Sequence, residues 1–123
     1  MTVQELYANI GGSYDSAKKI LQMDKLIGKF IQKFLTDKSC ESLLTAGAAR
    51  DAAGIFEGAH ALKGVCANLG LDSLSAAASD VAEAYRPGTG AGMDDAALDA
   101  ALAAIRDRYD TTIEGIQKYA AAQ

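Results

Sequence analysis

Apolar residues recur along this chain at three- and four-residue spacing, and no segment of useful length alternates with period two. Val3, Leu6, Tyr7 and Ile10 form the first stripe. Thr2-Val3-Gln4-Glu5 in front of it reads as a capping box, and Gly11-Gly12 stops it. Ser13 caps a second short helix through Leu21, with Tyr14, Ala17 and Leu21 on one face. Asp24 is the expected cap of a third helix running to about Leu35, whose apolar set is Leu26, Ile27, Phe30 and Phe34. A short connecting helix follows from about Ser39 to Ala46, ending at Gly47. Asp51 caps a long helix that Gly70 closes after Leu69. Asp72 is expected to cap the next, which carries Leu74, Ala78, Val81 and Tyr85 and breaks at Pro87. Asp94 or Asp95 opens the last helix, striped by Leu98, Leu102, Ile105, Tyr109, Thr112, Ile116 and Tyr119.

Four helices of roughly 12 to 25 residues with short loops predict an all-α, up-down four-helix bundle with additional short N-terminal helices. One domain is expected over 1–123, with 1–23 as helical decoration and 24–123 as the bundle core. Composition agrees: 50% hydrophobic, 23% charged, one proline and no tryptophan. The net charge of −4 argues against a general nucleic-acid binder. No apolar run approaches a membrane span, and the N-terminus lacks the charged-then-apolar pattern of a signal peptide, so a cytoplasmic protein is expected. Cys40 and Cys66 lack CxxC spacing, and with a single histidine they cannot make a structural zinc site unaided; Cys66 reads as a small buried hydrophobe.

His60 is the only histidine. On a wheel centred on Leu62, residues Ile55, Ala59, Val65, Cys66 and Leu69 lie within about 60°, whereas His60 lies about 160° away, on the opposite face. A core histidine or an inward metal ligand is therefore not expected. Ala53, Gly64 and Ala67 share its face. Helical side chains lean toward the N-terminus, so a side chain at position 64 would cover the imidazole. Glycine there costs about 1 kcal/mol of helix stability and leaves the ring clear. Lys63 can swing its ammonium toward whatever the ring carries. An exposed neutral imidazole is a competent nucleophile near neutral pH, and a phosphoryl group on it needs open space and a nearby cation.

The run Ala59-His60-Ala61-Leu62-Lys63-Gly64-Val65-Cys66-Ala67-Asn68-Leu69-Gly70 resembles the A-H-x-L-K-G-x-x-x-x-[hydrophobic]-G signature of histidine-containing phosphotransfer (HPt) domains. The likeness extends in order from about Asp24 to Arg86. It implies a stand-alone bacterial phosphocarrier, not a classical enzyme, that moves a phosphoryl group between aspartates of response-regulator receiver domains in a phosphorelay fed by a hybrid histidine kinase. His60 would be phosphorylated, Lys63 would stabilise the phosphoryl oxygens, and Gly64 would keep the ring open. The family often places a polar side chain, frequently Gln, on the preceding helix; Gln32 or Lys33 would take that place. Phe56, Glu57 and Ala67, with Gln32 and Lys33, are the expected partner-docking residues. Where the family often has Ser, this chain has Val65, which is expected to point toward the core.

No cofactor or metal is expected on the chain itself; Mg²⁺ would sit on the receiver. Gly88-Thr89-Gly90-Ala91-Gly92 follows a helix, not a strand, so it reads as a loop and not a phosphate-binding site. The chain is expected to be a monomeric relay, unable to phosphorylate itself from ATP. Six lysines between Lys18 and Lys38 would suit an acidic receiver pocket, or form an ordinary solvated face. Two other readings stand beside the carrier: an HPt-like module that binds receivers or kinases without carrying phosphate, and a metal- or ligand-binding bundle. The second needs an inward cluster of His and carboxylates that the sequence does not show.

Overall fold

The computed structural model describes residues 1–123. Seven α-helices follow in order: α1 (Val3–Ile10), α2 (Tyr14–Leu21), α3 (Asp24–Lys33), α4 (Ser39–Ala48), α5 (Ala52–Asn68), α6 (Asp72–Ala84) and α7 (Asp95–Ala121), with a 3-10 turn at Phe34–Thr36. α4 packs on α5, α5 on α6, α6 on α7, and α7 back on α4, which closes a four-helix ring. Short connections at 49–51 and 69–71 make α4, α5 and α6 antiparallel neighbours. No helix is long and apolar enough to cross a membrane.

The four-helix bundle is the one the sequence predicts, but its membership differs. The sequence counts the 24–35 segment among the four and treats 39–46 as a connector. In the structure α4 completes the ring, and α3 lies outside it against α1, α2 and α7. The reason is close backbone approach, which an apolar stripe does not report. A Cβ on Gly58 would lie 2.8 Å from Leu43 Cα, and one on Gly47 would run into the Leu102 side chain. These two glycines let short α4 press onto α5 and α7. On α3 the buried positions are Ile27, Gly28 and Ile31, while Leu26 and Phe30 are only half-buried.

Four of the seven helices start on the expected side-chain cap. Thr2 and Glu5 form the capping box. Ser13 accepts from the Ser16 N–H at 3.1 Å, Asp51 from Gly54 at 3.2 Å and Asp94 from Ala97 at 2.8 Å. Asp24 and Asp72 are not caps: Met23 and Leu71 hold those positions without a side-chain bond. Both carboxylates sit one residue inside, where the helix dipole still favours them. There they accept bonds from α2: Asp24 from Tyr14 Oη at 2.5 Å and Lys18 Nζ at 3.0 Å, Asp72 from Ser16 Oγ at 3.0 Å. The two acids thus pin α2 to α3 and α6.

One cluster of 24 buried residues forms the core, and it includes Leu6, Tyr7 and Ala17 from the first two helices. Tyr7 Oη donates to the Leu69 carbonyl at 2.5 Å. Beyond Leu69, Gly70 adopts φ +70°, the Leu71 N–H bonds the Cys66 carbonyl at 2.9 Å, and the Gly70 N–H bonds Ala67 at 3.2 Å. This Schellman closure fixes where α5 ends. Its carbonyl at Gly70 also accepts from the Ser13 N–H at 2.7 Å, so the end of α5 and the start of α2 are one junction.

Candidate functional site

α5 presents Ile55, Gly58, Ala59, Leu62 and Cys66 to the core. His60, near its middle, is exposed, as are Gly64 and Ala67 on the same stripe. A Cβ on Gly64 would meet nothing within 4 Å. The space over the imidazole is therefore open, and the glycine is not there to relieve a clash. Val65 packs against the core as expected, but it is only half-buried and also lines a surface groove. Its wheel position lies at the edge of the buried arc, and α3 covers that edge only in part.

The imidazole lies over the ring of Phe56, one turn earlier, with ring centroids 5.5 Å apart and planes inclined by 17°. Phe56 is half-buried and carries the Arg86 guanidinium 5.6 Å from its centroid. Arg86 in turn makes two bonds to Glu83, at 2.6 and 3.1 Å. The Arg86 bond holds the Glu83 carboxyl below its ordinary range, with smaller contributions from the charges of Lys63 and His60. Lys63 is half-buried and makes no ion pair of its own. Its carbonyl accepts from Ser75 Oγ at 3.0 Å, which fixes this turn of α5 against α6. One flank of His60 is thus Phe56, Lys63, Glu83 and Arg86.

Glu57 is exposed on the other flank, in a groove shared with Ser42 and Thr45 of α4. The two candidates on the preceding helix separate. Gln32 folds back to donate to the Gly28 carbonyl one turn earlier at 3.1 Å and faces Tyr119 of α7 and Gln123 just past its end. Lys33 lies over the Phe30 ring at 5.1 Å and borders a groove of about 320 Å³ with Val65, Asn68 and Leu69. Of the pair, Lys33 reaches the surface of α5, roughly 8 to 12 Å along the helix from His60 at 1.5 Å per residue. Among the six lysines, Lys18 pairs with Asp24 and Lys38 with Glu41; Lys25, Lys29 and Lys33 line the groove between α3 and the end of α7.

This arrangement offers an exposed nucleophile with an unpaired cation one turn on and room for a bulky group. No group of three or more His, Cys, Asp or Glu side chains is placed to hold a metal ion. Cys40 and Cys66 are free and fully buried, and burial pushes their thiols up to about 11 and about 12. Arg86 and Glu83 are the site residues that sequence reasoning misses. Their i,i+3 pairing is legible, but only the packing of α6 on α5 brings the pair to Phe56.

The family model of the Hpt domain matches residues 20–108. No curated protein and no solved structure matches the chain. The matched span takes in the whole ring from α4 to the first half of α7, and every residue around His60 from Phe56 to Arg86. On that match the chain belongs to the Hpt domain family.

Proposed function

We propose that this chain is a phosphocarrier that takes a phosphoryl group from the aspartyl phosphate of one receiver domain onto His60 and passes it to the aspartate of another. As a member of its family it takes part in phosphorelay histidine phosphotransfer. The observation that carries the specific reading is the exposed imidazole on α5 with nothing above Gly64. In the step, a ring nitrogen of neutral His60 attacks phosphorus. The P–N bond forms as the P–O bond to the aspartyl carboxylate breaks, and the carboxylate leaves with its electron pair. Mg²⁺ on the receiver and the Lys63 ammonium offset charge on the phosphoryl oxygens. The second transfer runs the same bonds in reverse toward a new carboxylate. Glu57, Ala67 and Lys33 border the surface a docked receiver would meet, whereas Gln32 supports α3 against α7.

The test is transfer from a labelled phospho-receiver in the presence of Mg²⁺, resolved on a gel. Wild type takes up label that is acid-labile and alkali-stable, as a phosphoramidate is; ATP alone gives none. His60→Ala takes up none. Lys63→Ala slows transfer by roughly five-fold, the scale of about 1 kcal/mol for a solvent-screened cation. Label on His60→Ala, or none on wild type from any receiver of its own genome, replaces this reading with a binding module that carries no phosphate.

A further inference from the structure

Neither ring nitrogen of His60 makes a hydrogen bond to the protein; its one directional contact is the Phe56 ring. Reactive histidines are commonly oriented by a bond to the second nitrogen, and here that device is missing. We infer that Phe56 is the positioning residue for His60, and that Arg86, held by Glu83, backs it. This inference rests on the phosphocarrier reading of His60.

The contact is built into α5, because residues four apart face each other on a helix. With planes inclined by 17° and centroids 5.5 Å apart, the rings are offset-stacked. A nitrogen lone pair lies in the ring plane, so a partner on the ring's face restricts its rotation and leaves both nitrogens uncovered. A hydrogen bond would occupy one of them. The stack holds only if Phe56 itself is fixed. Its half-buried position supplies part of that, and the guanidinium 5.6 Å from its centroid supplies the rest. Arg86 follows the end of α6 and would swing freely without its two bonds to Glu83. The chain of contacts therefore runs from α6 through Phe56 to the nucleophile.

Two measurements on the full chain test this. In proton NMR, the ring current of Phe56 shifts the His60 ring resonances upfield. Phe56→Leu moves them downfield, Phe56→Tyr keeps them, and Arg86→Gln moves them in the Leu direction by less. The amide spectrum of each variant reports its fold. In transfer from a labelled receiver, Phe56→Leu is slower by roughly 3- to 10-fold, the scale of one freed side chain, and Phe56→Tyr restores the rate. Unmoved His60 resonances in Phe56→Leu, or a receiver-dependent rate equal to wild type, overturn the inference, and an unmoved Arg86→Gln spectrum overturns the part given to Arg86. A wild type that takes no label from any receiver overturns the carrier reading instead, and the NMR comparison still decides the stack.

Discussion

At His60 an empty position matters as much as the side chains present. Gly64 contacts nothing, so a larger residue there finds room, and its lean toward the N-terminus carries it over the imidazole. Helix propensity favours the change by up to about 1 kcal/mol. Gly64→Leu is therefore expected to match or exceed wild type in thermal stability while losing phosphotransfer. Melting curves and transfer rates measured on the same preparation check this, and equal rates would refute the steric argument. This much was legible in the sequence, because helical phase alone sets His60 opposite Leu62 and Gly64 one turn above it. The neighbours across the helix boundary were not legible. Arg86, paired with Glu83, meets Phe56 through the pitch and depth of α6 against α5, which no spacing within either helix encodes.

At the scale of elements, α4 owes its place to glycine and not to a stripe. Gly58→Ala gains helix propensity of about 1 kcal/mol. Against that, its new Cβ would lie 2.8 and 2.9 Å from the backbone Cα and N of Leu43, atoms that cannot turn aside. Overpacking against backbone costs about 1 to 3 kcal/mol, so the substitution is expected to destabilise. Urea unfolding of Gly58→Ala beside Gly64→Ala checks it: the first lowers the midpoint, and the second, in open space, raises it. A Gly58→Ala midpoint at or above wild type would show that α4 is free to shift. The acids at helix starts carry a related lesson. Asp24 and Asp72 look like caps because carboxylates near helix N-termini usually are, and residues Tyr14, Lys18 and Ser16 of α2 draw them elsewhere.

For the molecule as a whole, one core joins the N-terminal helices to the bundle, and it contains three groups that lose by ionising. Burial pushes the Cys40 thiol up to about 11, the Cys66 thiol up to about 12, and the Tyr7 phenol upward as well. Each binds its proton more tightly in the folded chain than in the unfolded one. Stability is then fully present below the ordinary thiol value of 9.0 and is lost as pH climbs toward 11 and 12. Urea midpoints between pH 7 and pH 11 are expected to fall, and a Cys40→Ala, Cys66→Ala double variant to fall less. Parallel curves would remove the thiols from the account. On the acid side, Asp24, Glu83 and Asp99 sit below their ordinary values through bonds to Tyr14 and Lys18, Arg86 and Arg50. Their contribution is present above the unfolded value and lost as pH falls through the folded one. All three are solvent-exposed, so salt weakens it.

The sequence by itself determined the helical class, most of the boundaries, and the face of α5 on which His60 lies. All of these depend on interactions within a turn or two: apolar periodicity, a Ser, Thr or Asp at a cap, and a left-handed Gly70 closing a helix. The tertiary structure alone decided which four helices form the ring, which of Gln32 and Lys33 borders α5, and what backs the Phe56 ring that stacks on the imidazole. Those outcomes depend on distances between segments far apart in the chain, such as Gly58 on Leu43 or Arg86 on Phe56. Periodicity gives the direction of a face but not the depth at which two faces meet. At this site depth separates a lone exposed histidine from one stacked on a ring that a neighbouring helix holds in place.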